Sequence, residues 1–304
     1  MAAFTFWGDL FKFSTNVLDE DYHYDKNYSI KIKTKSVDGY GDYTFKSEQT
    51  KPDESGTSKN SMELKAKFVD EYIVSDSKLR TGGKSISENE LKLGAYGEQL
   101  KGWSYVLTAN LVSGQTLDKS SFASSLKYKQ SNIEAKIHHD HSKNDTIEFE
   151  GTIKPKMTSA AVVGASAAFN YKTTKIARYG IGFVDRLNPA FSYGLYSFSD
   201  DGKNLGNIKF YTLQTVSPTT DVSTEIGYSM HSKDLNARAG FSYRSGLSSM
   251  WKGKVSSDGV FGLSFKHIIA SGTSLTFSTA FDLGDKALLH HDPHPFGVAL
   301  EGKY

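Results

Sequence analysis

The sequence predicts an all-β chain that closes into a membrane-spanning barrel, with one amphipathic α-helix at the N-terminus lying against the inner wall. Three observations predict it. Residues 4–18 read FTFWGDLFKFSTNVL and set Phe4, Trp7, Leu10, Phe11, Ser14, Val17 and Leu18 at three- and four-residue steps. That spacing is one face of a helix, with Asp9, Lys12, Asn16 and Asp19 on the other. Almost everything after it alternates apolar and polar at period two. The strands are many, evenly spaced and without a repeat near 40 residues, so a propeller is set aside. A sheet of that size removes its edges by closing. A barrel so wide cannot be filled by side chains, so it encloses water and turns its apolar face to lipid.

Composition fits. The 304 residues carry a formal charge of +2, no cysteine, 6 prolines and 27 glycines. Without Cys there are neither disulfides nor thiolate metal sites. Tyr and Phe number 17 and 19, which suits strands and membrane interfaces. The N-terminus has neither a secretory pattern nor an Arg-rich transit pattern. The longest apolar-leaning run, residues 157–169, falls short of the roughly 20 residues a spanning helix needs. A mean hydropathy of −0.44 is compatible with a membrane barrel, whose strands hide one apolar face behind a polar one.

In chain order, Tyr28, Ile30 and Ile32 oppose Lys31, Lys33 and Lys35, Asp38-Gly39 marks a hairpin, and residues 42–48 return. Residues 51–60, with Pro52 and Gly56, read as a loop. Leu64, Ala66 and Phe68 oppose Glu63, Lys65 and Lys67; residues 61–77 read as one long strand or as two with a corner at Asp70-Glu71, since alternation would put Asp70 on the apolar face. Leu91, Leu93 and Ala95 oppose Glu90 and Lys92. Further strands follow around 103–112, 122–129, 133–137, 147–153, 179–183, 191–195, 208–210, 222–230, 235–243, 261–265, 275–277 and 296–300. Alternation alone yields about 18 strands. No break in composition divides the chain, so residues 1–26 form a helix and linker and residues 27–304 one barrel.

The polar faces carry Lys31, Lys33, Lys35, Lys65, Lys67, Lys92, Lys127, Lys129, Lys136, Lys209, Arg238 and Lys266, with Lys12 on the helix. They carry only Glu63, Glu90, Glu134, Glu148, Glu150 and Glu225 as counter-charge. A water-filled channel so lined favours anions. In a soluble sheet the same residues would be ordinary solvated faces.

A resemblance sharpens this. Trp7-Gly8-Asp9-Leu10-x-Lys12, Val17, Tyr22, Ile-Lys-Thr-Lys-Ser at 32–36 and Asp38-Gly39 resemble the eukaryotic mitochondrial porins, the voltage-dependent anion channels. Residues 62–68, Glu71-Tyr72 and Gly102 continue the likeness, and residues 272–278 with Phe296-Gly297-x-x-Leu300-Glu301 resemble the last two strands. The resemblance implies a transmembrane β-barrel of 19 strands with the N-terminal amphipathic α-helix inside the pore, and that count selects the division at Asp70-Glu71. It implies a voltage-dependent, weakly anion-selective pore of the mitochondrial outer membrane. Such a pore contacts lipid, passes ATP, ADP, phosphate and small anions, and assembles as a homo-oligomer or with outer-membrane proteins. It also implies that Leu10 and Val17 hold the helix to the wall. No cofactor and no nucleic-acid partner is implied, and no nucleophile elbow, P-loop or dinucleotide motif suggests an enzyme.

The chain departs from the family pattern in three places. The glycine-rich hinge after the helix is replaced by Asp21-Tyr-His-Tyr-Asp25, which stiffens it. A nucleotide-contacting Gly-Leu-Lys becomes Gly102-Trp103-Ser104, losing the cation. The last-strand sorting signal meets Pro295 and Gly302. His138-His139-x-His141 and His290-His291-x-x-His294 are of metal-ligand type but read as solvated turns. The rival readings are the channel subunit of the outer-membrane protein translocase, whose helix follows a longer leader than the one here, and a soluble β-rich binding protein.

Overall fold

A computed structural model of the chain describes residues 11–37, 39–51, 57–113, 120–141, 145–155, 161–188, 190–199, 201–203, 206–282 and 295–303. Helix α1, Lys12–Leu18, precedes nineteen strands. The first nine are β1 Lys26–Lys35, β2 Gly41–Thr50, β3 Asn60–Val69, β4 Ile73–Arg80, β5 Lys84–Lys92, β6 Trp103–Val112, β7 Ser121–Gln130, β8 Ile133–Asp140 and β9 Thr146–Ile153. Then come β10 Val162–Asn170, β11 Lys175–Asn188, β12 Phe191–Ser199, β13 Asn207–Ser217 and β14 Thr220–Ser229. The last are β15 Leu235–Ser245, β16 Ser249–Ser256, β17 Val260–Ala270, β18 Thr273–Asp282 and β19 Phe296–Lys303.

Each strand pairs antiparallel with its chain neighbour, and β1 closes the cylinder on β19 in parallel, from Tyr28↔Val298 to Lys33↔Lys303. An up-and-down meander with an odd number of strands must close with one parallel pair, because its first and last strands run the same way. Closure leaves no unpaired edge, which lipid would not tolerate.

Side chains alternate as the sequence predicts, and the apolar set faces outward. Leu64 is 50% exposed, Phe149 44% and Ile181 56%, a pattern inverted from that of a water-soluble protein. A polar ladder interrupts that surface on β4 and β5. Ser75 donates to Asn89 at 2.8 Å, and Ser77 pairs with Ser87 at 3.4 Å. These groups satisfy one another where lipid offers no partner.

The sequence-derived strands needed adjustment in four places. The corner at residues 70–72 separates β3 from β4 as expected. β5 stops at Lys92, and Leu93–Tyr96 and Glu98–Leu100 form short 3-10 turns, with Gly94 and Gly97 interrupting the extended backbone. The run at residues 157–169 overlaps β10, whose inward residues Gly164, Ser166 and Ala168 are too small and neutral to show alternation. β16 also escaped, because Gly253 stands on its apolar face between Trp251 and Val255. His138 and His139 lie within β8 on opposite faces, so they do not share a turn as expected. His138 meets Ser125 inside, and His139 contacts Tyr171 outside. Leu10, Trp7 and the 290–294 histidines lie outside the described residues.

Candidate functional site: the lumen and its helix

Helix α1 lies against β13, β14, β15 and β16. Phe11, Ser14, Val17 and Leu18 are buried, while Lys12 and Asn16 face the water of the lumen. This is the three- and four-residue periodicity expressed against a curved wall. Phe11 stacks on Tyr211 at 4.5 Å and meets Tyr196 at 5.8 Å, over Val184. Val17 is 5% exposed and Leu18 fully buried.

The wall is hollowed to receive them. A Cβ on Gly194 would stand 2.7 Å from the Phe11 ring, and one on Gly240 would stand 2.9 Å from Leu18. A Cβ on Gly297 would collide with the His23 carbonyl. Under the middle of the helix a hydrogen-bond chain runs into the sheet. Ser223 donates to the Thr212 carbonyl at 2.8 Å, so the Ser14 hydroxyl, 2.5 Å away, donates to Ser223. Both serines are fully buried.

The far end of the helix is held by charge. Lys252, on β16, has a side chain only 6% exposed. Its ammonium donates to the Asn16 carbonyl at 2.8 Å and pairs with Asp21 at 2.9 Å. A cation on the last carbonyls satisfies acceptors that the helix itself leaves open. Lys266 donates to the other Asp21 oxygen at 2.9 Å, and Arg238 bridges Asp19, at 2.7 Å, to Glu225. Asp21 sits at φ 68°, a left-handed conformation that its two lysines fix in place. Burial would raise the Asp21 carboxyl, but Lys252 and Lys266 outweigh it and hold its pKa below the usual carboxylate value. Burial, helped by Lys26, pushes the His23 imidazole below its ordinary pKa. Lys254 lies over the Tyr22 ring at 4.3 Å and the Tyr24 ring at 5.6 Å. The glycine-free linker is therefore stapled to β15–β17 by its own side chains and to β18 by the His23 N–H, which donates to Ser278 at 2.8 Å.

The cations expected on the inner wall fall on the side that the helix occupies, and several meet carboxylates there. Lys33 pairs with Glu301 at 2.6 Å, Lys65 with Asp76 at 2.6 Å, Lys127 with Glu88 at 3.7 Å and Lys209 with Glu225 at 3.2 Å. Lys31 lies 3.6 Å from Glu301, Lys35 lies 3.8 Å from Asp42, and Lys129 meets Glu134. Lys136 shares its face with Glu150, and Lys67 and Lys92 stand on the inward rows of β3 and β5. Ser104, where the family cation is missing, donates to Glu90 at 2.6 Å, and Trp103 packs on Tyr128 outside. Missing from the sequence reading were the cations Lys46, Lys78, Arg80, Arg178, Lys252, Lys254 and Lys303, and the six expected glutamates are joined on the inner wall by Asp42, Glu48, Asp76, Glu88 and Glu301, so the wall carries more counter-charge than the strands alone suggested. Trp251 and Val255 against Lys252 and Lys254 was the alternation signal that would have found two of the missing cations.

No curated protein sequence matches the chain. Among solved structures, two mutants of the Rhodopseudomonas blastica porin superpose with a TM-score of 0.50 at 10% identity, over 81% of this chain and 90% of the porin. At that identity the likeness speaks to the barrel alone. The sequence profile of the eukaryotic porins matches residues 5–292. A closed water-filled cylinder, greasy outside and charged within, and that match over nearly the whole length lead to one conclusion: the chain belongs to the eukaryotic porin family and is a pore-forming membrane channel.

Proposed function

We propose that the chain is a voltage-dependent, weakly anion-selective diffusion pore of the mitochondrial outer membrane, passing ATP, ADP, phosphate and small metabolites. The observation that supports it is the lysine surplus of the lumen, densest where eight lysines and two carboxylates line one recess. A cationic bore raises the local concentration of anions and lowers their barrier to entry. The ion pairs inside mute the field, which fits weak selectivity. Lys12, Lys31, Lys33, Lys35, Lys65, Lys67, Lys92, Lys127, Lys129, Lys136, Lys209, Arg238 and Lys266 set that preference. Residues 1–26 act as the constriction and its strap, and residues 27–304 as the conduit.

Reversal potential across a planar bilayer under a salt gradient tests the reading. The native chain should favour anions. Replacing Lys31, Lys33, Lys65 and Lys67 with Glu should move the potential toward cations. An unchanged potential in that variant counts against the assignment.

A further inference from the structure

Three of the four pairs of lysines that stand directly opposite one another on adjoining strands of the inner wall, among the described residues, are gathered in one place; the fourth, Lys127 opposite Lys136 across β7 and β8, stands apart from them. Lys31 faces Lys46 across β1 and β2, Lys65 faces Lys78 across β3 and β4, and Lys33 faces Lys303 across β1 and β19. All six line a single recess of about 570 Å³, whose only carboxylates are Asp42 and Glu63 among the described residues. Like charges directly opposite in a sheet destabilise it. Carboxylates at the margin relieve part of the repulsion: Glu48 holds Lys46 at 2.9 Å, Asp76 holds Lys65 and Glu301 holds Lys33. Lys67, Lys78 and Lys303 form no ion pair among the described residues; Asp76, which stands opposite Lys67, is held by Lys65. The helix itself packs on β13–β16, and the acidic residues that follow it, Asp19, Glu20 and Asp21, share an adjoining recess with Lys31, Lys33 and Lys46 but not with Lys65, Lys67, Lys78 or Lys303. A repeated local cost with no structural return is the mark of a site kept for a ligand.

The layout of the charges narrows the ligand. Strands lie about 4.8 Å apart and same-face residues about 6.7 Å apart along each strand, so the ammonium groups are spread over a two-dimensional grid. One inorganic phosphate engages only one or two of them. An anion with phosphates arranged around a ring engages several at once, and lysine binds phosphate as a point charge. We propose that the recess is a retention site for a compact, multiply phosphorylated cyclic anion, reached from the lumen, where such an anion dwells instead of passing. It rests on the aqueous-pore reading but on a separate measurement.

The probe is myo-inositol hexakisphosphate, titrated calorimetrically into the full chain in neutral detergent. The variant Lys67→Gln/Lys78→Gln/Lys303→Gln removes the unpaired cations and relieves two of the repulsive pairs, so its unfolding temperature should equal or exceed that of the native chain. A control, Lys127→Gln/Lys129→Gln/Lys136→Gln, removes equal charge on β7 and β8, including the opposed pair Lys127–Lys136 that lies outside the recess. The recess variant should bind the probe at least about tenfold more weakly, and the control less than about twofold, since charge-assisted contacts are lost only in the first. Equal weakening in both variants overturns the site in favour of a diffuse field. So does native affinity in the recess variant, or inorganic phosphate binding as tightly as the probe. A channel without anion preference that shows the tenfold difference refutes only the selectivity reading, and an anion-preferring channel without it refutes only the site.

Discussion

Replacing Ser14 and Ser223 with cysteine tests where the helix rests. Their hydroxyl oxygens are 2.5 Å apart, both residues are fully buried, and the sequence contains no competing cysteine. A disulfide bridges sulfurs at about 2.05 Å, so the pair is placed to oxidise with little movement of either backbone. The residues are 209 positions apart, and on the chain-entropy account a loop of that length is worth up to about 5 kcal/mol against the unfolded chain. Residual structure in the detergent-denatured state lowers that figure. Under mild oxidant the double variant should run as a compact, reductant-sensitive band and unfold at a higher temperature than its reduced form. Because the bond captures the docked helix, oxidised and reduced channels should have the same open conductance in a bilayer. If no bond forms, or if oxidation changes the open conductance by a large factor, the helix does not sit where Ser223 places it.

The same cross-link reads the other expectations. Gly194→Leu drives a side chain into the space of the Phe11 ring and should weaken docking by about 1–3 kcal/mol, slowing disulfide formation in the double-cysteine background; an unchanged rate would show that Phe11 does not need the hollow. Acid should loosen the linker in two windows. His23 is held neutral when docked, so docking is undiminished above pH 6.5 and weakens as pH falls from there toward its lowered value. Asp21 has a docked pKa below 3.8, so its contribution is intact above that and is lost as pH falls through the docked value. Protease cleavage of residues 11–25 followed from pH 8 to pH 3 should show both steps; His23→Gln should erase the upper one and Asp21→Asn the lower, and a flat profile in the native chain would contradict both assignments.

Inside and outside were legible in the sequence because strand alternation is local: a period of two sends Lys31, Lys33 and Lys35 one way and Ile30 and Ile32 the other whatever the partner. The inner face of the helix was equally legible, since three- and four-residue steps fix which side Ser14, Val17 and Leu18 share. β10 and β16 were not, because alternation is visible only where the two faces differ in chemistry, and Gly164, Ala168 and Gly253 erase the contrast. Where the helix docks was decided by residues far along the chain, through the hollows at Gly194 and Gly240 and the cations Arg238, Lys252 and Lys266. Which lysines stay unpaired was likewise set by register, above all by the parallel seam that brings Glu301 to Lys33 and Lys303 beside it. Sequence determined the side each residue faces, because that follows from neighbours in the chain; closure of the cylinder determined what each residue meets, because partners more than 200 positions away are chosen only when the whole sheet locks into register.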